Sequence, residues 1–207
     1  MGHEGDHGPH GHPHKPHADR GPAKDQDQAQ AADLVPREAD VVPREHKARA
    51  PGYAKVYVIT CSDSRTELTD AGGRYLRESL AALGHVHSGS AIVPDDPPRI
   101  LAELDRARAA GAQAVLLTGG TGVTQRDATF EAISSAITRP LPGFGELFRS
   151  LSFAEIGSAA MLSRAVAGVA ADGLLIFAMP GSPGAVRLAC EKLIFPELTH
   201  LLEELAR

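Results

Sequence analysis

The chain has 207 residues, a formal net charge of −5 and two cysteines. That acidic balance lacks the basic face of a general nucleic-acid binder, and Cys61 and Cys190 alone give no zinc-site spacing. No apolar run reaches the roughly 20 residues that span a bilayer, and the N-terminus has no apolar signal core. The expectation is a reduced, cytoplasmic protein with neither nucleic acid nor membrane as a partner.

Residues 1–49 contain almost no apolar run and read as a disordered tail. Six of the ten histidines fall here, at His3, His7, His10, His12, His14 and His17, separated by glycine and proline. Neutral imidazoles at such density bind Zn²⁺, Ni²⁺ or Cu²⁺ loosely. A short echo follows, VPREAD at 35–40 and VPREHK at 42–47, too few copies to define a repeat architecture. Residues 50–207 read as one domain, and at roughly 150 residues such a domain buries about 70% of its unfolded surface without needing a disulfide or structural metal.

Within that domain KVYVITCS (55–62) is apolar throughout, as a strand buried on both faces must be. A helix is predicted over 71–84, with Tyr75, Leu76, Leu80 and Leu83 at helical spacing, Asp70 as cap and Gly84 as stop. A strand at 85–93 follows, then a helix over 96–111 with Asp96 as cap and Pro97 at its first position. The segment 112–119 reads as a third strand and 128–137 as a further helix. LPGFGELFRSL reads as a short helical turn between loops. The Ala-Asp-Gly turn inside 160–181 divides a pair of strands, and a last helix runs from SPGAV to the C-terminus with a bend at Pro196. This alternation predicts an α/β fold in three layers, a mostly parallel sheet with helices on both faces.

Such sheets bind ligands where the strand order reverses, at the carboxyl ends of the strands. The segments expected there are TCSDSR, VPDD, TGGTGVTQRD and MPGSPG, all small, polar or glycine-rich. They supply Ser62 and Asp63; Gly119, Gly120, Thr121 and Gly122; and Pro180, Gly181 and Ser182 as candidate binding residues. No Gly-Lys dipeptide exists for a P-loop, and Gln125 stands where a dinucleotide fingerprint needs its third glycine. What remains is two glycine-containing loops before helix starts, which favour anions and suit a ligand with several phosphates.

Carboxylates beside such loops repel phosphate unless a cation lies between them. Asp95 and Asp127 therefore imply Mg²⁺, held by one or two carboxylates plus substrate phosphates. Asp127 also has the position of a helix N-cap, whereas Asp96 is the better cap of its own helix and leaves Asp95 free. Cys61 ends a buried strand and reads as core.

TGGTG followed by RDATFEA, then PGFGELFR, LSR and MPGSPGAV, resembles the MoaB/MogA family of molybdenum cofactor biosynthesis proteins, and the MoaB branch most. The resemblance runs from about His46 to Leu205. It implies adenylylation of molybdopterin by Mg-ATP, with pyrophosphate released. It also implies Mg²⁺ and catalytic roles for Asp95 and Asp127, a pterin-phosphate contact for Ser163, and a homotrimer or hexamer. A non-catalytic molybdopterin carrier or assembly protein using the same pocket is the alternative expectation.

Overall fold

The computed structural model describes residues 52–124 and 127–207, together with Gly2. The His-rich segment, its expected metal affinity and the VPRE echo lie outside the described residues.

Six strands form one sheet: β1 (Lys55–Cys61), β2 (Val86–Val93), β3 (Ala114–Thr118), β4 (Ile137–Pro140), β5 (Val166–Ala170) and β6 (Leu175–Met179). Their order is β2-β1-β3-β6-β5-β4. β2, β1, β3 and β6 run parallel, while β5 is antiparallel to both β6 and β4. The central strands β3 and β6 are buried at every position, which explains their continuous apolar sequence.

Alternate residues of these strands feed two cores. Val56, Val58, Leu116, Leu175 and Phe177 point to one face; Tyr57, Ile59, Val115, Leu117 and Ile176 point to the other. The first core is covered by α1 (Ala71–Ala82), α4 (Pro142–Ile156), α5 (Pro183–Ala189) and α6 (Phe195–Leu205), through Leu76, Phe148, Val186 and Leu198. The second is covered by α2 (Pro97–Ala109) and α3 (Thr129–Ala136), through Ile100, Leu104 and Ile133. Burying each such Leu, Ile or Phe contributes about 1.5–3 kcal/mol. The expected three-layer, mostly parallel fold is therefore observed.

Four local expectations are corrected. The segment after Leu141 is a 15-residue helix, not a short turn. Its glycines lower intrinsic propensity, but Phe144, Phe148 and Ser152 make one buried stripe, and Phe144 meets Phe177 edge-on with centroids 5.2 Å apart. Tertiary packing overrides propensity there. The helix expected to end at Ile137 stops at Ala136, and Ile137–Pro140 is an edge strand. Proline is tolerated at that edge, where no ladder partner needs its N–H. Leu83 is exposed, because α1 ends at Ala82 and Leu83 is already its C-cap. The C-terminal helix is interrupted by a wider π turn over Cys190–Ile194, in which the Phe195 N–H donates to the Cys190 carbonyl. Pro196, next in line, has no N–H to continue the ordinary ladder.

Among the described residues, no helix is long and apolar enough to cross a membrane.

Candidate active site at the carboxyl edge of the sheet

β1 pairs with β2 on one side and β3 on the other, so the chain order reverses between β1 and β3. A crevice is expected at that point, and the loops after the strands do meet there. The Ser62 N–H donates to the Val93 carbonyl (2.8 Å), and the Gly119 N–H donates to the Met179 carbonyl (3.0 Å). Arg65 donates to the Gly181 carbonyl at 2.7 Å.

The glycine-rich loop after β3 is shaped by the protein itself. Gly119 has φ +100°, and a Cβ there would lie 2.2 Å from the Cys61 carbonyl oxygen. Gly120 has φ +64°, and its Cβ would lie 2.2 Å from Thr129 Oγ1 and 2.4 Å from Asp95 Oδ2. Side chains are excluded at both positions by backbone conformation and by space. The groups that approach the loop closely include a strand end and a carboxylate of the same chain.

Asp95 reaches this loop from the end of β2. Its Oδ1 accepts from the Ala128 N–H (3.0 Å) and the Thr129 hydroxyl (3.1 Å). Asp95 thus caps α3 from a distant part of the sequence, contrary to the expectation that it is free of capping. Asp96 caps α2 as expected, accepting from the Arg99 N–H at 3.3 Å. Asp127 is not the cap of α3. The N-cap position is Ala128, whose own side chain makes no capping bond. The Asp127 Oδ2 instead accepts from the Thr124 N–H (2.8 Å) and hydroxyl (2.6 Å), bracing the loop against itself.

The two carboxyls are pushed in opposite directions. Burial raises the Asp95 pKa, with the neighbouring Asp127 charge adding to the rise against the bonds from Ala128 and Thr129. The Thr124 hydroxyl lowers that of Asp127, helped by backbone N–H groups of Thr124 and Gly122 and by Arg164. A carboxylate raised by burial and by a second carboxylate is one whose charged form a nearby cation stabilises. No group of three or more His, Cys, Asp or Glu able to hold a metal exists among the described residues. Asp95 and Asp127 both set carboxylate oxygens beside the glycine-rich loop, next to Gly120 and Gly122.

Beside the loop lies a cavity of about 220 Å³, lined by Thr121, Ser152, Ser163, Phe148, Ile156 and Leu162, with Pro180 and Ser182 at its rim. Thr121 is 2% exposed and its Oγ1 has no hydrogen-bond partner. A buried hydroxyl left unpaired costs about 1–3 kcal/mol. Ser163 Oγ accepts from the Ala165 N–H at 3.3 Å. Ser182 caps α5, accepting from the Ala185 N–H at 3.3 Å. Ser62 Oγ accepts from the backbone of Ser64 and Arg65, while Asp63 is exposed at the tip of the same turn. A depression of about 380 Å³ lies elsewhere, near Arg108 and Asp172. There Arg108 is already paired with Asp172 (2.5 Å) and Asp105 (2.9 Å).

Residues 57–200 match the family described as a probable molybdopterin binding domain. The molybdenum cofactor biosynthesis protein B of Halalkalibacterium halodurans is 47% identical over 165 residues, covering 79% of this chain and 96% of that protein. The chain belongs to the MoaB/MogA family. The Bacillus subtilis protein of the same name is 46% identical over 170 residues, with 79% and 97% covered. A crystal structure of a molybdenum cofactor biosynthesis protein B superposes with a TM-score of 0.73 at 46% identity, covering 77% of this chain and 99% of that one. That of the tungsten cofactor synthesizing protein MoaB from Pyrococcus furiosus gives 0.70 at 38%, covering 76% and 100%.

Three residues that brace the site were not singled out as part of it from the sequence. Asp70 is wholly buried, bonded to the Thr60 hydroxyl (2.8 Å) and the Gly73 N–H (2.9 Å), and lies 3.5 Å from Arg65. Only its capping position was legible. Arg65 carries that network to the Gly181 loop. Arg164 grips the glycine-rich loop from the other side. Long-range contacts of this kind leave no spacing signal in the sequence.

Proposed function

We propose that this MoaB-type chain transfers the adenylyl group of Mg-ATP to molybdopterin. A terminal phosphate oxygen of molybdopterin attacks the α-phosphorus of ATP, the bond from that phosphorus to the β-phosphate bridge breaks, and pyrophosphate leaves. The observation that carries the reading is the meeting of Asp95, Asp127 and the 119–122 loop beside a cavity with an orphan Thr121 hydroxyl. The names of the relatives, which place them in molybdenum or tungsten cofactor synthesis, support the same pathway.

At about 220 Å³ the cavity is smaller than the roughly 300–1,000 Å³ of complete ligand sites. It suits the ring portion of molybdopterin, with Thr121, Ser152 and Ser163 supplying hydroxyls and Phe148 and Leu162 apolar surface. The phosphates extend over the crevice between the Gly119–Gly122 and Pro180–Gly184 loops, with Ser62 and Asp63 at its far wall. The Gly119 N–H is taken by the Met179 carbonyl, so the N–H groups of Gly120 and Thr121 and those of the second loop would hold and align them. Attacker and target are both anionic, so alignment and electrostatic preorganisation carry the catalysis. No side-chain nucleophile is required.

Two carboxylates with no third acidic ligand among the described residues fit Mg²⁺, which usually takes one or two protein carboxylates and completes its shell with phosphates and water. Asp95 and Asp127 would hold it; when bound it supplies neutralisation of phosphate charge. We also propose a homotrimer or hexamer as the working assembly.

Purified chain given molybdopterin, ATP and Mg²⁺ is expected to release pyrophosphate in step with adenylylated molybdopterin. Molybdopterin binding without pyrophosphate release refutes the reaction and leaves the carrier reading.

A further inference from the structure

We propose that Arg164 is a positioning residue that fixes the peptide planes of the glycine-rich loop and joins the acidic pair to the ligand cavity. The inference rests on the adenylyl transfer proposed above.

Arg164 lies between the 3₁₀ turn Gly157–Leu162 and β5, next to the cavity residues Leu162 and Ser163. Its Nε donates to the Gly122 carbonyl at 2.6 Å, and one terminal nitrogen donates to the Asp127 carbonyl at 2.7 Å. The other terminal nitrogen is paired with Glu131. The guanidinium also sits 5.0 Å above the Phe130 ring, and the Arg164 N–H donates to the Thr121 carbonyl at 3.1 Å. One residue therefore grips both ends of the loop that carries Asp127 and the first turn of α3. All three side-chain nitrogens are engaged by protein, so this cation acts through the loop.

The grip has a geometric consequence. In a trans peptide the C=O and N–H point in opposite directions. The Arg164 backbone N–H draws the Thr121 carbonyl towards itself and so turns the Gly122 N–H the other way, and the Asp127 carboxylate lies beside Gly122. Drawing the Gly122 carbonyl onto Nε likewise turns the Val123 N–H away from Arg164. The Thr121 carbonyl is held by the Arg164 backbone N–H, whereas the Gly122 and Asp127 carbonyls and the Glu131 carboxylate are held by the planar fork, so the orientation of the Val123 N–H and the placement of Asp127 depend on that side chain. Lysine carries the same charge but donates from a single point and cannot reproduce the fork. Because the same segment carries Leu162 and Ser163, a ligand that settles in the cavity bears on the loop through Arg164.

The test compares wild type, Arg164→Lys and Arg164→Gln as full chains, by steady-state pyrophosphate release and by hydrogen exchange. A displacement of about 1 Å in a reacting group costs on the order of 100-fold in rate. Both variants are therefore expected to lose kcat on that order, while KM for molybdopterin changes far less. Exchange is expected to quicken in residues 119–127 and not in β3 or β6. Wild-type kcat in Arg164→Lys overturns the proposal, as does quickened exchange spread evenly over the sheet. If wild type itself releases no pyrophosphate, the proposed reaction fails on its own. The exchange pattern then decides the clamp: quickening confined to 119–127 supports it, and unchanged exchange there overturns it.

Discussion

Asp95 has two tasks in this account, and substitution separates them. Its Oδ1 receives the Ala128 N–H and the Thr129 hydroxyl, and so serves as the missing cap of α3. Asp95→Ala removes both acceptors. Losing a side-chain cap costs about 1–2 kcal/mol, which in a domain of this size lowers Tm by about 2–8 °C. Asp95→Asn keeps an oxygen in the same place, so Tm is expected to stay within about 2 °C of wild type, since a small change in capping is worth only tenths of a kcal/mol. The amide cannot replace the charge needed beside a divalent ion, so both variants are expected to lose pyrophosphate release. Thermal unfolding by circular dichroism and the pyrophosphate assay read the two tasks independently. If Asp95→Ala melts with wild type, the capping argument is wrong. If Asp95→Asn turns over normally, the charge argument is wrong.

Gly120→Ala puts a Cβ at φ +64° against Thr129 and Asp95. The left-handed penalty of about 1–2 kcal/mol and overpacking of about 1–3 kcal/mol predict a clear fall in Tm, and an unchanged melting curve refutes the packing account. Burial pushes the Cys61 thiol up to about 12 from its ordinary 9.0. The unfolded thiol ionises first, so its contribution is whole below about pH 9 and falls towards pH 12, by up to about 1.4 kcal/mol per pH unit. Urea unfolding of wild type and Cys61→Ala at several alkaline pH values is expected to show that difference shrinking; a constant difference contradicts it. Light scattering is expected to give three or six times the 21.7 kDa chain mass. Phe153→Asp, on an exposed apolar stretch that includes Leu147, Ile156 and Met161, is expected to lower it; a monomeric wild type refutes the assembly.

The fold was legible wherever local pattern and burial agree. β1, β3 and β6 are continuous apolar runs because both faces are covered, and the caps Asp70 and Asp96 stand where they were expected. α4 was misread because its glycines suit a loop until Phe144 and Phe148 find Phe177 across the core. The site was legible as a set of loops, since strand ends must converge at the reversal of strand order. Its internal wiring was not. Asp95 and Asp127 exchange the roles that their neighbours in sequence predict: Asp95 caps a helix 33 residues away, and Asp127, next to that helix, braces a turn. The Arg164 side chain bonds carbonyls up to 42 residues earlier. Contacts at that separation depend on the sheet bringing the loops together, and one sequence carries no periodicity that reports them.

The central claim is that a divalent ion shared by Asp95 and Asp127 lets repelling anions meet. Calorimetric titration of ATP, with and without Mg²⁺, into wild type and Asp127→Asn tests it most directly. Magnesium is expected to tighten ATP binding strongly in wild type and weakly in the variant. An ATP affinity in wild type that magnesium leaves unchanged contradicts the account.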